Sequence, residues 1–200
     1  MVDVAVIDDP AAATVALDPV RSRLLSNLAE PASAASLASR LGIARQKLNY
    51  HLRALEAHGL IEVSEQRRWG GLTERRMVAT ARSYVVSPSA LGPAAADPER
   101  EADRLSAGYM IALAGRIIRE VGALLRRSRE LDKRLATLSI DTVIRFRTPA
   151  DRAAFTQELT DTIQKLAAKY HDDSAPEGRP HRLVLAAHPL PQPLQTKETS

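Results

Sequence analysis

Apolar residues recur along the first third of the chain at helical spacings, and each recurrence is bracketed by residues that start or stop a helix. Asp9-Pro10 and Asp18-Pro19 each join an N-cap to a proline at the first helical position, where its missing N–H costs nothing. The first predicts a short helix over 10–16. The second predicts a firmer one over 19–29, with Val20, Leu24, Leu25 and Leu28 on one buried face and Pro31 as its stop. Ser33 caps a two-turn helix over 34–41 that turns Leu37 and Leu41 inward, and Gly42 follows where a tight turn needs positive φ. A further helix over 44–58 places Leu48, Leu52 and Leu55 on one face and stops at Gly59. The period then changes: Leu60-Ile61-Glu62-Val63, a Gly70-Gly71 turn and a return through Met77-Val78-Ala79 read as a β-hairpin.

Three helices and a hairpin, with the second and third helices separated only by Leu41-Gly42-Ile43, have the order and dimensions of a winged helix-turn-helix. The residues that carry a closer resemblance are Leu37-Ala38, Leu41-Gly42-Ile43, Asn49-Tyr50-His51-Leu52-Arg53, Leu55-Glu56 and Gly59-Leu60-Ile61. In this pattern, over about 14–88, the chain resembles the winged-helix domain of ArsR-like bacterial transcription regulators. The resemblance implies a homodimer that binds double-stranded DNA at an inverted repeat. Metal sensors of that family carry thiolates in the first helix of the motif, where this chain has Ser36, Ala38 and Ser39, so a soft-metal sensor is not expected.

The residues support the same reading independently. With Leu48, Leu52 and Leu55 inward, Arg45, Gln46, Asn49 and Tyr50 lie on the outward face and end of a recognition helix and are the expected base contacts. Arg45 suits guanine, while Gln46 and Asn49 suit adenine, because their paired donors and acceptors match those base edges. Lys47 and Arg53 are expected on phosphates, as are Arg67, Arg68, Arg75 and Arg76 of the hairpin wing. The wing arginines also fit a charged strand edge protected against unwanted pairing. Trp69 beside the turn either packs on sugar or base or covers the hairpin's own apolar face. His51 and His58, seven residues apart with no carboxylate triad or cysteine nearby, predict structural or DNA-proximal roles and no metal site.

Beyond the punctuated stretch from Pro88 to Pro98, Asp97-Pro98 opens a predicted helix running to about Arg129, roughly 45 Å at 1.5 Å per residue. Tyr109, Leu113, Ile117, Val121 and Leu124 belong to an apolar arc of about 200°, too wide for a one-sided surface helix. We expect it to pack on its own subunit and on a second copy. Gly108, Gly115 and Gly122 recur on its more polar side, where they either permit close backbone approach or are tolerated in solvent. Leu138 to Arg147 alternates as a half-buried strand, Pro149 starts a helix with Phe155, Leu159, Ile163, Leu166 and Tyr170 as an inward stripe, and Leu183 to Ala187 supplies another strand. Whether the two strands of this β-α-β piece pair with each other is open. The stretch from Pro189 to Ser200 is expected to be disordered.

The expected fold is therefore mainly α with small β (α+β). Residues 1–17 form an N-terminal segment, 18–88 the winged domain, 97–188 a dimerisation and effector domain, and 189–200 a tail.

Composition narrows the function. The 200 residues are 44% hydrophobic and 26% charged, with no cysteine, which excludes disulfides, thiolate metal sites and cysteine nucleophiles. No apolar run is long enough to span a membrane, and Met1-Val2-Asp3 through Asp8-Asp9 lacks a cationic-then-apolar signal pattern, so a cytoplasmic protein with no membrane partner is expected. The net charge of +4 is unevenly spread. Residues 18–88 hold eleven bases against six acids, whereas 89–188 hold sixteen against fourteen. Such a basic module beside a nearly neutral one suits a polyanion. Asp141, Asp151, Asp161, His171 and His188 show no nucleophile, base and orienter spacing, and Asp172-Asp173 beside His171 reads as solvated loop, so neither enzyme nor cofactor is expected. The expected effector, if one exists, is an apolar small molecule between the long helix and the β-α-β piece. Two alternatives stay open: a winged-helix protein-interaction module, and a sequence-indifferent architectural DNA binder.

Overall fold

A computed structural model describes residues 1–69 and 72–191. The chain divides into two units, Met1–Leu135 and Ala136–Ser200. The architecture is mixed α+β with an N-terminal helix-turn-helix, as the residue pattern predicts.

In the first unit, strand β1 (Val2–Ile7) precedes helices α1 (Pro10–Leu17) and α2 (Pro19–Asn27). The two Asp-Pro steps cap as expected: Asp9 accepts from the Ala11 and Ala12 amides and Asp18 from those of Val20 and Arg21. A two-residue strand β2 (Ala32–Ser33) leads into α3 (Ala34–Leu41), whose N-cap Ser33 accepts from Ser36 N–H and whose chain reverses at Gly42 with φ +65°. Helix α4 (Arg45–Ala57) follows, and Gly59 at φ +66° turns the chain into β3 (Ile61–Trp69). β3 pairs antiparallel with β4 (Leu72–Ala79), with an irregularity between Val63 and Glu65, and β2 adds to the other edge of β4. The Gly70-Gly71 turn lies outside the described residues.

Leu24, Leu28, Leu37, Leu48, Leu55 and Ile61 are fully buried and form the centre of one core with Leu52, Leu60 and Met77. They come from α2 and its C-cap, α3, α4, the turn after α4, β3 and β4, so the helices and the hairpin share one core.

Two elements were not anticipated. β1 pairs parallel with β5 (Ala81–Val86), forming a second small sheet that ties the start of the chain to the strand leaving the wing. Val2, Val4 and Val6 alternate as a strand should, but six residues with a partner some eighty positions away give no local signal of pairing. Past a 3-10 stretch, Pro88–Ala94, the long helix α5 (Ala107–Glu130) begins later than expected. Asp97 does not cap it. Instead Asp97 lies 3.8 Å from Arg116, and Ser106 is the N-cap, its hydroxyl accepting from Tyr109 N–H. At 24 residues α5 is roughly 36 Å long.

The orientation of α5 settles the role of two of its glycines. Gly115 and Gly122 are buried with Ala112 against the body of the unit, while Gly108 is exposed. A methyl at Gly122 would lie 2.8 Å from Val6 Cβ, and one at Gly115 3.3 Å from Pro88 Cγ. The small-residue side is thus the docking side. Arginines beside it secure the edge strand: Arg129 donates to the Val4 carbonyl at 2.7 Å, and Arg126 pairs with Asp8 at 2.7 Å. The consequence is that Ile117 and Leu124 in the apolar arc face solvent, and Tyr109, Leu113 and Val121 are half-buried.

The second unit departs from expectation. Helix α6 (Pro149–Tyr170) forms, its N-terminus closed by a capping box in which Thr148 Oγ1 accepts from Asp151 N–H and Asp151 Oδ2 accepts from Thr148 N–H. The flanking strands do not. Residues 138–146 and 183–187 carry no strand pairing, because a strand exists only where its N–H and C=O groups meet a partner, and neither segment meets one here. The stripe predicted inward on α6 is likewise uncovered: Phe155, Leu159, Leu166 and Tyr170 are exposed, and no residue of α6 is buried. Most of the predicted disordered tail, 192–200, lies outside the described residues.

Candidate nucleic-acid interface

Helix α4 divides cleanly between a core side and a solvent side. Leu48, Leu52 and Leu55 are buried, and His51 joins them. Arg45, Gln46, Lys47, Tyr50 and Arg53 are exposed, Tyr50 at 65%, and Asn49 is half-buried at their margin. The expected base-contact and phosphate-contact residues of α4 therefore share one accessible surface. The N-cap is Ala44, with no side-chain cap, so the first-turn amides are left without that partner beside Arg45, Gln46 and Lys47. Unpaired amides and basic side chains at a helix N-terminus together favour anionic oxygens.

His51 is not part of that surface. Its Nδ1 accepts from Arg21 Nε at 3.4 Å, and its Nε2 is buried without a hydrogen-bond partner among the described residues. Arg21 also lies 3.9 Å from Asp18 Oδ1. Asp18, Arg21 and His51 thus clasp the start of α2 to the middle of α4. The Arg21 amide, donating to Asp18, leads the interactions that hold the Asp18 carboxyl below its usual range. His58 lies 3.7 Å from Asp9 and fixes the other end of α4 to the α1 cap.

The wing arginines have different fates. Arg68 is exposed near the hairpin tip. Arg75 is exposed and paired with Glu56, a link between β4 and α4. Arg76 is half-buried, donating to the Pro31 carbonyl at 2.6 Å and lying 3.5 Å from Glu65, so its guanidinium is engaged in holding β4 to the segment before α3. Arg67 is in register with Glu74, and its side chain, like that of Trp69, lies outside the described residues. Sequence reasoning missed Glu56 and Pro31 as partners because the contacts close over nineteen and forty-five residues, with no local spacing to mark them.

Residues 16–64 match the family described as a helix-turn-helix domain. The matched span runs from the end of α1 through α2, α3 and α4 into β3, so it contains all of α4 and its accessible surface, while the wing arginines lie beyond it. A helix-turn-helix domain at these residues supports a DNA-binding regulator. A comparison of the chain with curated proteins finds no match.

Elsewhere the chemistry is sparse. Among the described residues no group of three His, Asp or Glu side chains is placed to hold a metal ion, and no helix is long and apolar enough to cross a membrane. His171 and Asp173 approach to 3.2 Å, and Asp172 accepts from the amide and hydroxyl of Ser174, which closes a local turn. A cleft of about 320 Å³ lies between β1 and α5, lined by Val4, Val6, Leu125, Arg126 and Arg129 among others.

Proposed function

We propose that the chain is a non-catalytic, cytoplasmic, sequence-specific transcription regulator of the ArsR-like winged-helix type, acting as a homodimer on an inverted-repeat operator. The observation that carries this reading is the two-sided α4, with its leucines in the core and Arg45, Gln46, Asn49 and Tyr50 grouped at one accessible surface beside an uncapped N-terminus. In this reading α4 enters the major groove. Arg45, Gln46, Asn49 and Tyr50 meet base edges, and Lys47, Arg53, Arg67, Arg68 and Arg75 meet phosphates. Arg76 serves the wing's own architecture first, because its guanidinium already donates to the Pro31 carbonyl and lies beside Glu65.

The dimer rests on the uncovered arc of α5, where Tyr109, Leu113, Ile117, Val121 and Leu124 would meet the same residues of a second copy. A small apolar effector finds its support in the cleft beside β1, whose volume is at the lower end for ligand sites, roughly 300 Å³.

The test is capture of fragmented genomic DNA from the source organism by the purified chain at near-physiological salt, followed by sequencing. The expected result is a shared inverted repeat whose half-sites lie about one helical turn apart. On that sequence Arg45→Ala and Asn49→Ala should each relax preference at one base pair per half-site. Uniform retention contradicts sequence reading and leaves an architectural binder; no retention favours a protein-interaction module.

A further inference from the structure

Two segments of the second unit have the composition of strands and no strand partner among the described residues. In the first, residues 138–147, Ile140, Thr142, Ile144 and Phe146 alternate with Ser139, Asp141, Val143, Arg145 and Arg147. Leu138 is 83% exposed and Ile140 79% exposed. Phe146, at the end of the apolar series, touches Phe155 of α6 with ring centroids 5.3 Å apart, so that series is anchored on the uncovered stripe of the helix. Neither Asp141 nor Arg145 has an ion-pair partner among the described residues.

This segment is complementary to itself. In an antiparallel pair related by a two-fold axis, residues equidistant from the axis face each other, and each pairing occurs twice. An axis at Val143 sets Asp141 opposite Arg145 of the second copy, and Arg145 opposite its Asp141. On the other face the same register sets Ile140 against Phe146 and Thr142 against Ile144. Neighbouring registers are poorer. Moving the axis to Thr142 sets Asp141 against valine, moving it to Ile144 sets Arg145 against valine, and a half-step sets Ile140 against arginine. Opposite charges and apolar pairs directly across an antiparallel ladder are the contacts that fix its register.

We propose that residues 138–147 pair antiparallel with the same residues of a second copy about Val143, forming a two-stranded ribbon whose apolar face lies on α6. The proposal rests on the homodimer reading above and adds to it a second interface of defined register. The ribbon gives the N–H and C=O groups of 138–147 the partners they lack within one chain, and it brings two α6 stripes to one apolar surface.

The test uses the full chain and sedimentation equilibrium. Asp141→Arg and Arg145→Asp each replace two attractive pairs by two repulsive ones and should weaken self-association at least about tenfold. The double variant Asp141→Arg/Arg145→Asp, and an equimolar mixture of the two single variants, should each restore it. Since the chain has no cysteine, Val143→Cys supplies a single thiol that should cross-link to its symmetry mate under mild oxidation. If the wild-type chain is monomeric, this proposal and the homodimer reading both fail. If it is dimeric but the charge variants leave association unchanged and Val143→Cys stays unlinked, the ribbon alone is overturned and the dimer is held by α5. Weakening by the single variants without restoration by the double variant or the mixture overturns the register.

Discussion

The two units make the same kind of hydrophobic demand and meet it differently. In the first, Leu24, Leu28, Leu37, Leu48 and Leu55 come from α2 and its C-cap, α3 and α4, and every one is fully buried within the chain. In the second, α6 carries a stripe of equal regularity and buries none of it, and the strand-like segments on either side have no ladder. Periodicity reports that a face needs covering. It does not report which surface supplies the cover, and in the second unit the account assigns that role to another copy of the chain.

The largest effect that separates the two units is core truncation. Leu48→Ala removes a fully buried side chain from α4 and should cost about 2–5 kcal/mol of stability, read by chemical denaturation. The matching change in the second unit, Leu166→Ala, alters a half-exposed side chain and should cost under about 1 kcal/mol in dilute protein. That cost should rise with protein concentration as the dimer forms. Equal losses at all concentrations would break the contrast.

Next in size is the docking of α5. Gly122→Ala gains helix propensity, yet the new methyl meets Val6 Cβ at 2.8 Å, so we expect a net loss of about 1–3 kcal/mol in thermal or chemical unfolding. Gly108→Ala, on the exposed part of the same helix, should stabilise by up to about 1 kcal/mol. The pair isolates close approach from propensity.

A smaller effect is acid sensitivity, and it belongs to the first unit. Burial of Asp8 opposes its ionisation, but hydrogen bonds from Ser87, Ser89 and Arg126 and the Arg126 charge outweigh burial and hold its pKa below the ordinary value. Asp18 is lowered chiefly by the Arg21 amide. A carboxyl whose folded pKa is depressed stabilises the protein above its unfolded value, about 4, and loses that contribution as pH falls through the lower folded value. The stability these two carboxylates contribute should therefore be fully present at neutral pH and fall away below about pH 4. Asp8→Asn should flatten part of that fall, measured as the denaturation midpoint against pH. An unchanged acid limb would remove Asp8 from the explanation.

Much of the first unit was legible because its signals are local. Asp-Pro caps, Ser33, the positive-φ glycines and the leucine periods fix α1 to α4 within a residue or two of where they occur, and the outward set on α4 follows from the inward one. What escaped notice depends on distance along the chain. The β1 and β5 pairing, the Arg75 link to Glu56 and the Arg76 bond to Pro31 close over long loops and leave no mark at either end. His51 shows a different limit. Its place in α4 suggested a DNA-proximal role as readily as a structural one, and its burial beside Arg21 of α2 puts it in the core. On α5 the apolar arc was legible, but the side facing the body is the glycine side, because close packing there is set by the lack of side chains rather than by hydrophobicity.

The contrast between the units is tested most directly by amide hydrogen exchange on the full chain at two concentrations, one well above and one well below the dissociation constant of the proposed dimer. The account predicts that the amides of α2, α3 and α4 are protected at both, whereas those of 138–147 are protected only at the higher and exchange at nearly unfolded rates on dilution. Protection of 138–147 that does not change with concentration, or its absence at both, would contradict the claim that a second copy completes what the chain leaves open.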